Sequence, residues 1–225
     1  MAADEILDYW DAHGKWLGAA SRRDVHARGL WHRTLHLWLV TPEHGGSVVY
    51  QLRSSTAASW PGRLDASVAG HLLADESYTD ALRESREEIG IDVREHAVIA
   101  LGERREEGRD PAGGWNREIQ GICVARLDDL WERFAPADGE AAGLVRIGHD
   151  VALHLFQGEV ASIACDALVA DEGKVSAVMR EVTLQSFVPR PASYYLAMHD
   201  IARRLIAGET AAALVEAFRQ LCRSA

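Results

Sequence analysis

The spacing of apolar residues predicts strands interleaved with helices over residues 5–160. A first hairpin pairs Ile6–Trp10 with Trp16–Ala19 around a glycine turn. A second pairs Leu35–Val40 with Ser47–Arg53 around two adjacent glycines. The remaining predicted elements are strands at Leu64–Ala69, Val98–Glu103, Glu118–Arg126 and Leu144–Ile147, and helices at Tyr78–Ile89, Asp128–Phe134 and Asp150–Phe156.

Two stretches without a clear period, Ser54–Arg63 and Glu107–Asn116, are predicted to be loops. Beyond Gly158 the pattern weakens until two amphipathic helices, Ser193–Leu205 and Thr210–Cys222. No stretch has the composition of a linker. We therefore expect one domain over residues 1–225, with a layered α/β or α+β core at about 5–160 and a C-terminal helical extension at about 190–225.

Composition narrows the class of protein. Hydrophobic residues make up 48% and charged residues 26% of the 225 residues, as in ordinary globular chains. The net charge of −10 disfavours binding to nucleic acid, whose phosphates would be repelled. No apolar run reaches the roughly 20 residues that span a bilayer, and the acidic N-terminus is unlike a signal peptide. We expect a cytoplasmic protein without membrane or nucleic-acid partners, with its three cysteines as free thiols.

The predicted helix at Tyr78–Ile89 carries an acidic cluster. Glu84 and Glu88 are four residues apart and share one face, which Glu87 borders. Such close carboxylates repel each other unless a cation is bound, and Mg²⁺ prefers carboxylate oxygens, water and substrate phosphates as ligands. Arg83 can pair with Glu87 across one helical turn. The same pattern also occurs on solvated surface helices that bind no metal. The residues around the cluster must therefore distinguish a metal site from such a helix.

Those surrounding residues resemble the Nudix box, the signature of the Nudix superfamily. The matching positions are Gly70, Glu76, Arg83, Glu84, Glu87, Glu88, Gly90 and Ile91. Two departures stand out: six residues instead of the usual seven separate Glu76 from Arg83, and Ser85 replaces an aliphatic residue. Because the spacing among the three helix glutamates is intact, we expect their metal ligation to survive, whereas the position of Glu76 is left open.

The resemblance implies an α/β/α sandwich around a mixed sheet and Mg²⁺- or Mn²⁺-dependent hydrolysis of a phosphoanhydride bond. The implied metal ligands are Glu84, Glu87, Glu88 and the backbone carbonyl of Ala69. A box glutamate or Glu118 would act as the general base. Arg53 and Arg83 are assigned to binding the phosphate-bearing ligand, with a cross-strand ion pair as the alternative for Arg53. The implied substrate is a nucleoside diphosphate linked to another group, or a similar small organic diphosphate.

Further segments resemble the branch that contains the isopentenyl-diphosphate isomerases: Gly29–Trp38, Gln51–Ser54, Trp60–Gly62 and Ser67–His71. In the isomerases a catalytic cysteine precedes the Gly-His pair, and here that position is Ala69, which cannot exchange a proton. His32, His71 and Glu118 fall where the isomerases place metal ligands, but a further acidic ligand position is Asn116. These departures argue against isomerisation.

Several alternatives stay open. The chain could be an isomerase-like enzyme, or a non-catalytic ligand-binding protein on a Nudix scaffold, with the shortened box as its mark. For His32 and His71 a structural hydrogen-bonding role is favoured over metal ligation. For Glu118 an ion pair at a strand edge is an equal alternative to a role in the site. Trp31, Trp60 and His36 are predicted to serve mainly structural roles. Nothing in the sequence identifies a dimer interface, so a homodimer is left open.

Overall fold

The computed structural model describes residues 5–109, 113–136, 139, 141–171 and 173–223. Its strands are β1 (Ile6–Trp10), β2 (Trp16–Ser21), β3 (Trp31–Thr41), β4 (Ser47–Arg53), β5 (Leu64–Asp65), β6 (Val68–His71), β7 (Val98–Arg109), β8 (Trp115–Arg126), β9 (Ala141–Gly148), β10 (Ile163–Asp171) and β11 (Lys174–Val182). All of these strands belong to one sheet.

Strand β3 organises this sheet. It pairs antiparallel with β1, β4 and β6, and parallel with β8 in a register that runs from Trp31–Arg117 to Val40–Arg126. Strand β7 adds to β8, and β4 continues through β9 to β10 and β11. The predicted mixed sheet is confirmed.

Both faces of β3 are buried, because apolar residues occupy both sets of alternating positions. Leu35, Leu37 and Leu39 join the core on one face, and Trp38 and Val40 join the core on the other. All five are 0% exposed. A sheet that is buried on both faces needs helices on both sides, which gives the predicted α/β/α layering.

The helices are α1 (Arg22–Arg28), α2 (Glu84–Ile89), α3 (Leu130–Arg133), α4 (His149–Phe156), α5 (Ala192–Ile206) and α6 (Ala211–Arg223). Residues of α2 and α3 pack on one face of the sheet, and residues of α4, α5 and α6 pack on the other. Within the described parts of the chain, no helix combines the length and apolar character needed to span a bilayer.

Several predicted boundaries were wrong. The helix predicted from Tyr78 is α-helical only in α2, which follows a 3₁₀ turn at Asp80–Arg83. The helix predicted at Asp128–Phe134 is reduced to α3, and the strand predicted at Leu64–Ala69 is divided into β5 and β6. Strands β7 and β8 extend into the predicted loop because their ladder continues to the Arg109–Trp115 pair. Residues 110–112 of that loop lie outside the described residues.

Periodicity missed α1, β10 and β11. Residues 174–179 of β11 are all exposed, so no apolar alternation marks this strand. Helix α1 buries one residue, Val25, and therefore shows no amphipathic stripe. The two predicted C-terminal helices are confirmed as α5 and α6, each with ends one residue from the predicted ones.

Candidate functional site

A cavity of about 670 Å³ lies where α2, the sheet and the segment before α5 meet. Most of the side chains singled out by the sequence line this cavity: Arg53, Ala69, His71, Glu84, Glu87, Glu88, Asn116 and Glu118. His36 and Trp60 line it as well. Arg83 is not among the described lining residues, although the sequence assigned it to ligand binding. The fold therefore gathers residues that are far apart in the chain, from Glu5 to Pro191, around one volume.

Gly70 lets α2 approach strand β6. An ideal Cβ at position 70 would lie 2.4 Å from both Cγ and Cδ of Glu84, and 2.7 Å from its Oε1. The Glu84 carboxyl group therefore rests directly on the backbone of β6, in space that any other residue at position 70 would fill. The first glycine of the box thus has a packing role that involves the first glutamate of the helix.

Arg83 holds three carboxylates together. Its Nη1 lies 2.9 Å from Oε1 of Glu84 and 2.8 Å from Oε2 of Glu87. Its Nε donates to Oε1 of Glu76 at 2.7 Å, and its Nη2 to Oε2 of the same residue at 3.2 Å. These carboxylates engage the Arg83 guanidinium, and Arg83 is not among the described residues that line the cavity.

Glu76 contacts Arg83 although the segment between them is one residue shorter than in the family pattern. The chain between them contains the 3₁₀ turn Asp80–Arg83. A 3₁₀ turn rises about 2.0 Å per residue, against 1.5 Å in an α-helix, so four such residues gain about 2 Å of length. This gain is close to the rise of the one missing residue. Glu76 also accepts a hydrogen bond from the Leu73 N–H at 2.8 Å, which fixes the turn before the helix.

Glu88 faces β4 and β6. Its Oε2 accepts hydrogen bonds from Nε2 of Gln51 at 3.0 Å and from the backbone N–H of Ala69 at 3.1 Å. In an extended strand, the N–H and C=O of one residue point to the same side. The Ala69 carbonyl therefore points toward the acidic helix, which is the orientation that metal ligation by this carbonyl requires.

Arg83 pairs with Glu84 and Glu87, but among the described residues Glu88 has no ion-pair partner. Burial, with repulsion from Glu84 second, raises the pKa of Glu88 to about 8. Burial also raises the pKa of Glu84 to about 7, with Arg83 opposing the shift and Glu87 adding to it. Oxygen donors that repel each other in a partly dehydrated cavity are the ligand set that a hard divalent cation satisfies. The residues present therefore fit Mg²⁺ or Mn²⁺.

Glu118 lies on β8 and is held by amides. Its Oε1 accepts from Nδ2 of Asn116, and its Oε2 from Nε2 of Gln120, both at 2.7 Å. Burial opposes ionisation, but the facing His36 and His32 and the two amide donors outweigh it and lower the pKa of Glu118 to about 2. Its hydrogen-bond partners are amides, whereas the sequence had offered an ion pair as the alternative to a site role.

Three histidines form a second cluster beside Glu118. The side chains of His26, His32 and His71 each offer a ring nitrogen, and these nitrogens lie within 4.8 Å of one another. Nε2 of His32 is buried without a hydrogen-bond partner among the described residues. Burial lowers the pKa of His32, and lowers that of His71 well below its ordinary value, so both rings are neutral near pH 7. Neutral imidazoles at this spacing can hold a transition metal.

The sequence did not identify His26 or Arg190, both of which line the cavity. The Arg190 side chain, 6% exposed, forms ion pairs with Asp65 and with Glu106, the latter at 3.3 Å. Arg53 lies 3.6 Å from the same aspartate, so the proposed cross-strand ion pair is present. Arg190 comes from the segment before α5, far from any motif, and only its position in the fold reveals it.

Comparison with known proteins gives consistent matches. The sequence model of the NUDIX domain matches residues 31–147, more than half of the chain. A Clostridium acetobutylicum protein described as an uncharacterized Nudix hydrolase is 29% identical over 197 residues, covering 85% of this chain and 94% of the relative. A Streptomyces coelicolor protein with the same description is 44% identical over 90 residues, covering 40% of this chain and 49% of the relative.

Among solved structures, a Deinococcus radiodurans protein superposes with a TM-score of 0.54 at 19% identity. The match covers 68% of this chain and 90% of that protein. At this level of identity the likeness concerns the fold alone.

Proposed function

Because the chain belongs to the Nudix family of hydrolases, we propose that it cleaves a phosphoanhydride bond in a small organic diphosphate. The observation that carries this proposal is the convergence of Glu84, Glu87 and Glu88 on one cavity that also contains basic side chains. A nucleoside diphosphate linked to a second group is the substrate class that fits a cavity of about 670 Å³.

Glu84, Glu87, Glu88 and the Ala69 carbonyl would hold Mg²⁺ or Mn²⁺. When bound, the cation neutralises charge on phosphate oxygens and lowers the pKa of water. Arg83 keeps Glu84 and Glu87 in place, and Gln51 and the Ala69 N–H orient Glu88. Arg53, which lines the cavity, would bind the phosphate groups while it keeps its ion pair with Asp65.

The contacts of Glu118 favour a box glutamate as the general base. Both Glu118 oxygens already accept hydrogen bonds from amides, which stabilise its charged form and lower its affinity for a proton. Glu87 has a side chain that is 54% exposed and an Arg83 contact at 2.8 Å, so one of its oxygens is open to water. We therefore expect Glu87→Gln to lower kcat more than Glu118→Gln does.

The test is a panel of organic diphosphates with Mg²⁺ or Mn²⁺, followed by phosphate release and product mass in ¹⁸O-labelled water. The label shows which phosphorus atom water attacks. Wild-type protein should turn over at least one compound, and Glu84→Gln and Glu88→Gln should lose metal-dependent turnover. Glu95→Gln, at an exposed glutamate outside the cavity, is the matched control and should keep it.

Two outcomes would contradict the proposal. Absence of turnover across the panel, with binding of the same compounds intact, would favour the non-catalytic ligand-binding alternative. Conversion of isopentenyl diphosphate to its dimethylallyl isomer would show an isomerase that works without the cysteine replaced by Ala69.

A further inference from the structure

The C-terminal extension reaches the cavity through Tyr194 of α5. His36 and Trp38 lie two residues apart on β3, so their side chains share one face of the sheet. The Tyr194 hydroxyl group lies 3.0 Å from Nδ1 of His36 and 3.1 Å from Nε1 of Trp38. All three side chains belong to buried residues, and His36 lines the cavity.

These contacts determine which nitrogen of His36 carries the proton. The indole N–H of Trp38 can only donate, so the Tyr194 oxygen accepts from it. The Tyr194 O–H then donates to Nδ1 of His36. The opposite arrangement would leave a buried hydroxyl proton without an acceptor, at a cost comparable to a lost hydrogen bond. His36 is therefore the Nε2–H tautomer, since the bond at one ring nitrogen fixes the proton on the other.

Burial keeps this ring neutral. It lowers the pKa of His36 to about 4, and the nearby Arg190 adds to the shift, against Asp65, Glu118 and Glu106. At neutral pH, His36 thus offers one N–H donor and no charge. Because Tyr194 occupies Nδ1, Nε2 is the ring nitrogen left for a ligand in the cavity.

The position of His36 relates it to the acidic cluster. It is directly opposite Ala69 in the β3–β6 ladder, and the Ala69 N–H donates to Glu88. Side chains of directly opposite residues lie on the same face of a sheet. The residue paired with His36 thus contacts Glu88 directly, and His36 lines the same cavity as the carboxylates assigned to the cation.

We propose that His36 is a specificity-determining residue that donates a hydrogen bond from Nε2 to a phosphate oxygen of the substrate, with Tyr194 as its positioning residue. This inference rests on the proposed function, because that function supplies the diphosphate. It also gives the C-terminal extension a role in substrate binding, since Tyr194 lies beyond residue 147, where the match to the NUDIX domain ends.

Two substitutions at His36 distinguish a role as hydrogen-bond donor from a role in packing alone. Glutamine can present an N–H close to the position of Nε2, whereas methionine fills similar volume without a donor. We expect His36→Gln to keep kcat/KM within about 3-fold and His36→Met to lose about 10- to 100-fold, the range for a hydrogen bond to a charged group. Tyr194→Phe should produce a smaller loss and a mixture of His36 tautomers. Equal losses in the Gln and Met variants, with unchanged melting temperatures, would overturn the donor role.

The closing experiment is ¹⁵N NMR of the full chain with labelled histidine, first free and then with Mg²⁺ and imidodiphosphate. Imidodiphosphate contains phosphate oxygens and no base, sugar or lipid. We expect the His36 shifts of an Nε2–H tautomer, a tautomer change in Tyr194→Phe, and a further shift of Nε2 when the probe binds. A His36 ring protonated on Nδ1, or an Nε2 signal unmoved by bound probe, would overturn the inference.

This experiment does not depend on turnover. If the wild type hydrolyses no diphosphate but Nε2 responds to the probe, the proposed function fails and the His36 contact stands. If the wild type hydrolyses a diphosphate and Nε2 does not respond, the proposed function stands and the His36 contact fails.

Discussion

Gly70 and Glu84 are in direct contact: a Cβ at position 70 would lie 2.4 Å from Cδ of Glu84. The strand residue that begins the Nudix box is therefore small because the helix carboxylate occupies the space beside it. This contact links the backbone of β6 to the acidic cluster. It makes Gly70 a residue on which the position of Glu84 depends.

Gly70→Ala should displace Glu84. We expect a loss of stability of about 1–3 kcal/mol, the usual cost of an added group in a packed site, and a loss of metal-dependent activity of roughly 10-fold or more, since residues that orient ligands typically matter by about that factor. Chemical denaturation and metal titration measure the two effects. Gly108→Ala is the control for stability, because a Cβ there meets nothing within 4 Å. Unchanged metal affinity in Gly70→Ala would contradict the prediction.

Glu88 should make the metal-free protein less stable as pH rises. Burial and Glu84 raise its pKa from 4.5 to about 8, so the folded state holds this proton more tightly than the unfolded state. The resulting stability is fully present below about pH 4.5 and is lost as pH rises toward 8. Melting temperatures in chelator across this range test the slope.

Glu88→Gln should remove most of that slope. Its amide oxygen can still accept from Gln51 and from the Ala69 N–H, so the fold is retained. We expect a higher metal-free melting temperature than wild type at pH 8, together with loss of the stabilisation that Mg²⁺ gives. Saturating Mg²⁺ at 100 times Kd should stabilise wild type by about 2.7 kcal/mol. A Glu88→Gln variant that is less stable than wild type at pH 8 would contradict the prediction that the ionised Glu88 destabilises the metal-free protein.

The histidine cluster of His26, His32 and His71 should bind a transition metal. Titration with Co²⁺, followed by its d–d absorption bands, would show nitrogen ligation distinct from binding at the glutamates. We expect His32→Ala to weaken this binding by at least 10-fold, and His13→Ala, at an exposed position outside the cluster, to leave it unchanged. Identical spectra for wild type and His32→Ala would exclude the cluster as a metal site.

At position 85, serine should give a more stable fold than the aliphatic residue that the family usually has there. It is 0% exposed, donates to the Leu82 carbonyl at 2.7 Å and accepts from the Val93 N–H at 3.2 Å. The sequence had shown only that Ser85 departs from the family pattern. Ser85→Ala leaves the buried Val93 N–H without its partner, so we expect a loss of about 1–3 kcal/mol. Denaturant unfolding should show this loss, with the exposed Ser55→Ala as a neutral control. Stabilisation by Ser85→Ala or Ser85→Val would contradict it.

The elements that the sequence analysis missed or misassigned show where the spacing of apolar residues does not predict secondary structure. Strand β11 exposes residues 174–179 on both faces, so its chain carries no alternation, and pairing with β10 alone makes it a strand. The 3₁₀ turn at Asp80–Arg83 was predicted as α-helix because both helix types place apolar residues at similar spacing. Elements that bury one face, such as α5 and α6, were predicted closely because burial imposes their period.

By itself, the sequence determined the acidic cluster, because residues three and four apart on a helix share a face wherever that helix lies. It also determined the family, because the box fixes glycine, arginine and glutamate at set spacings along the chain. Only the tertiary structure decided that Arg83 contacts three carboxylates, that His26 joins His32 and His71, and that Tyr194 contacts His36. The reason is physical: hydrogen bonds and ion pairs depend on distances of about 3 Å, and strand pairing and helix packing set those distances between residues that sequence spacing leaves unrelated.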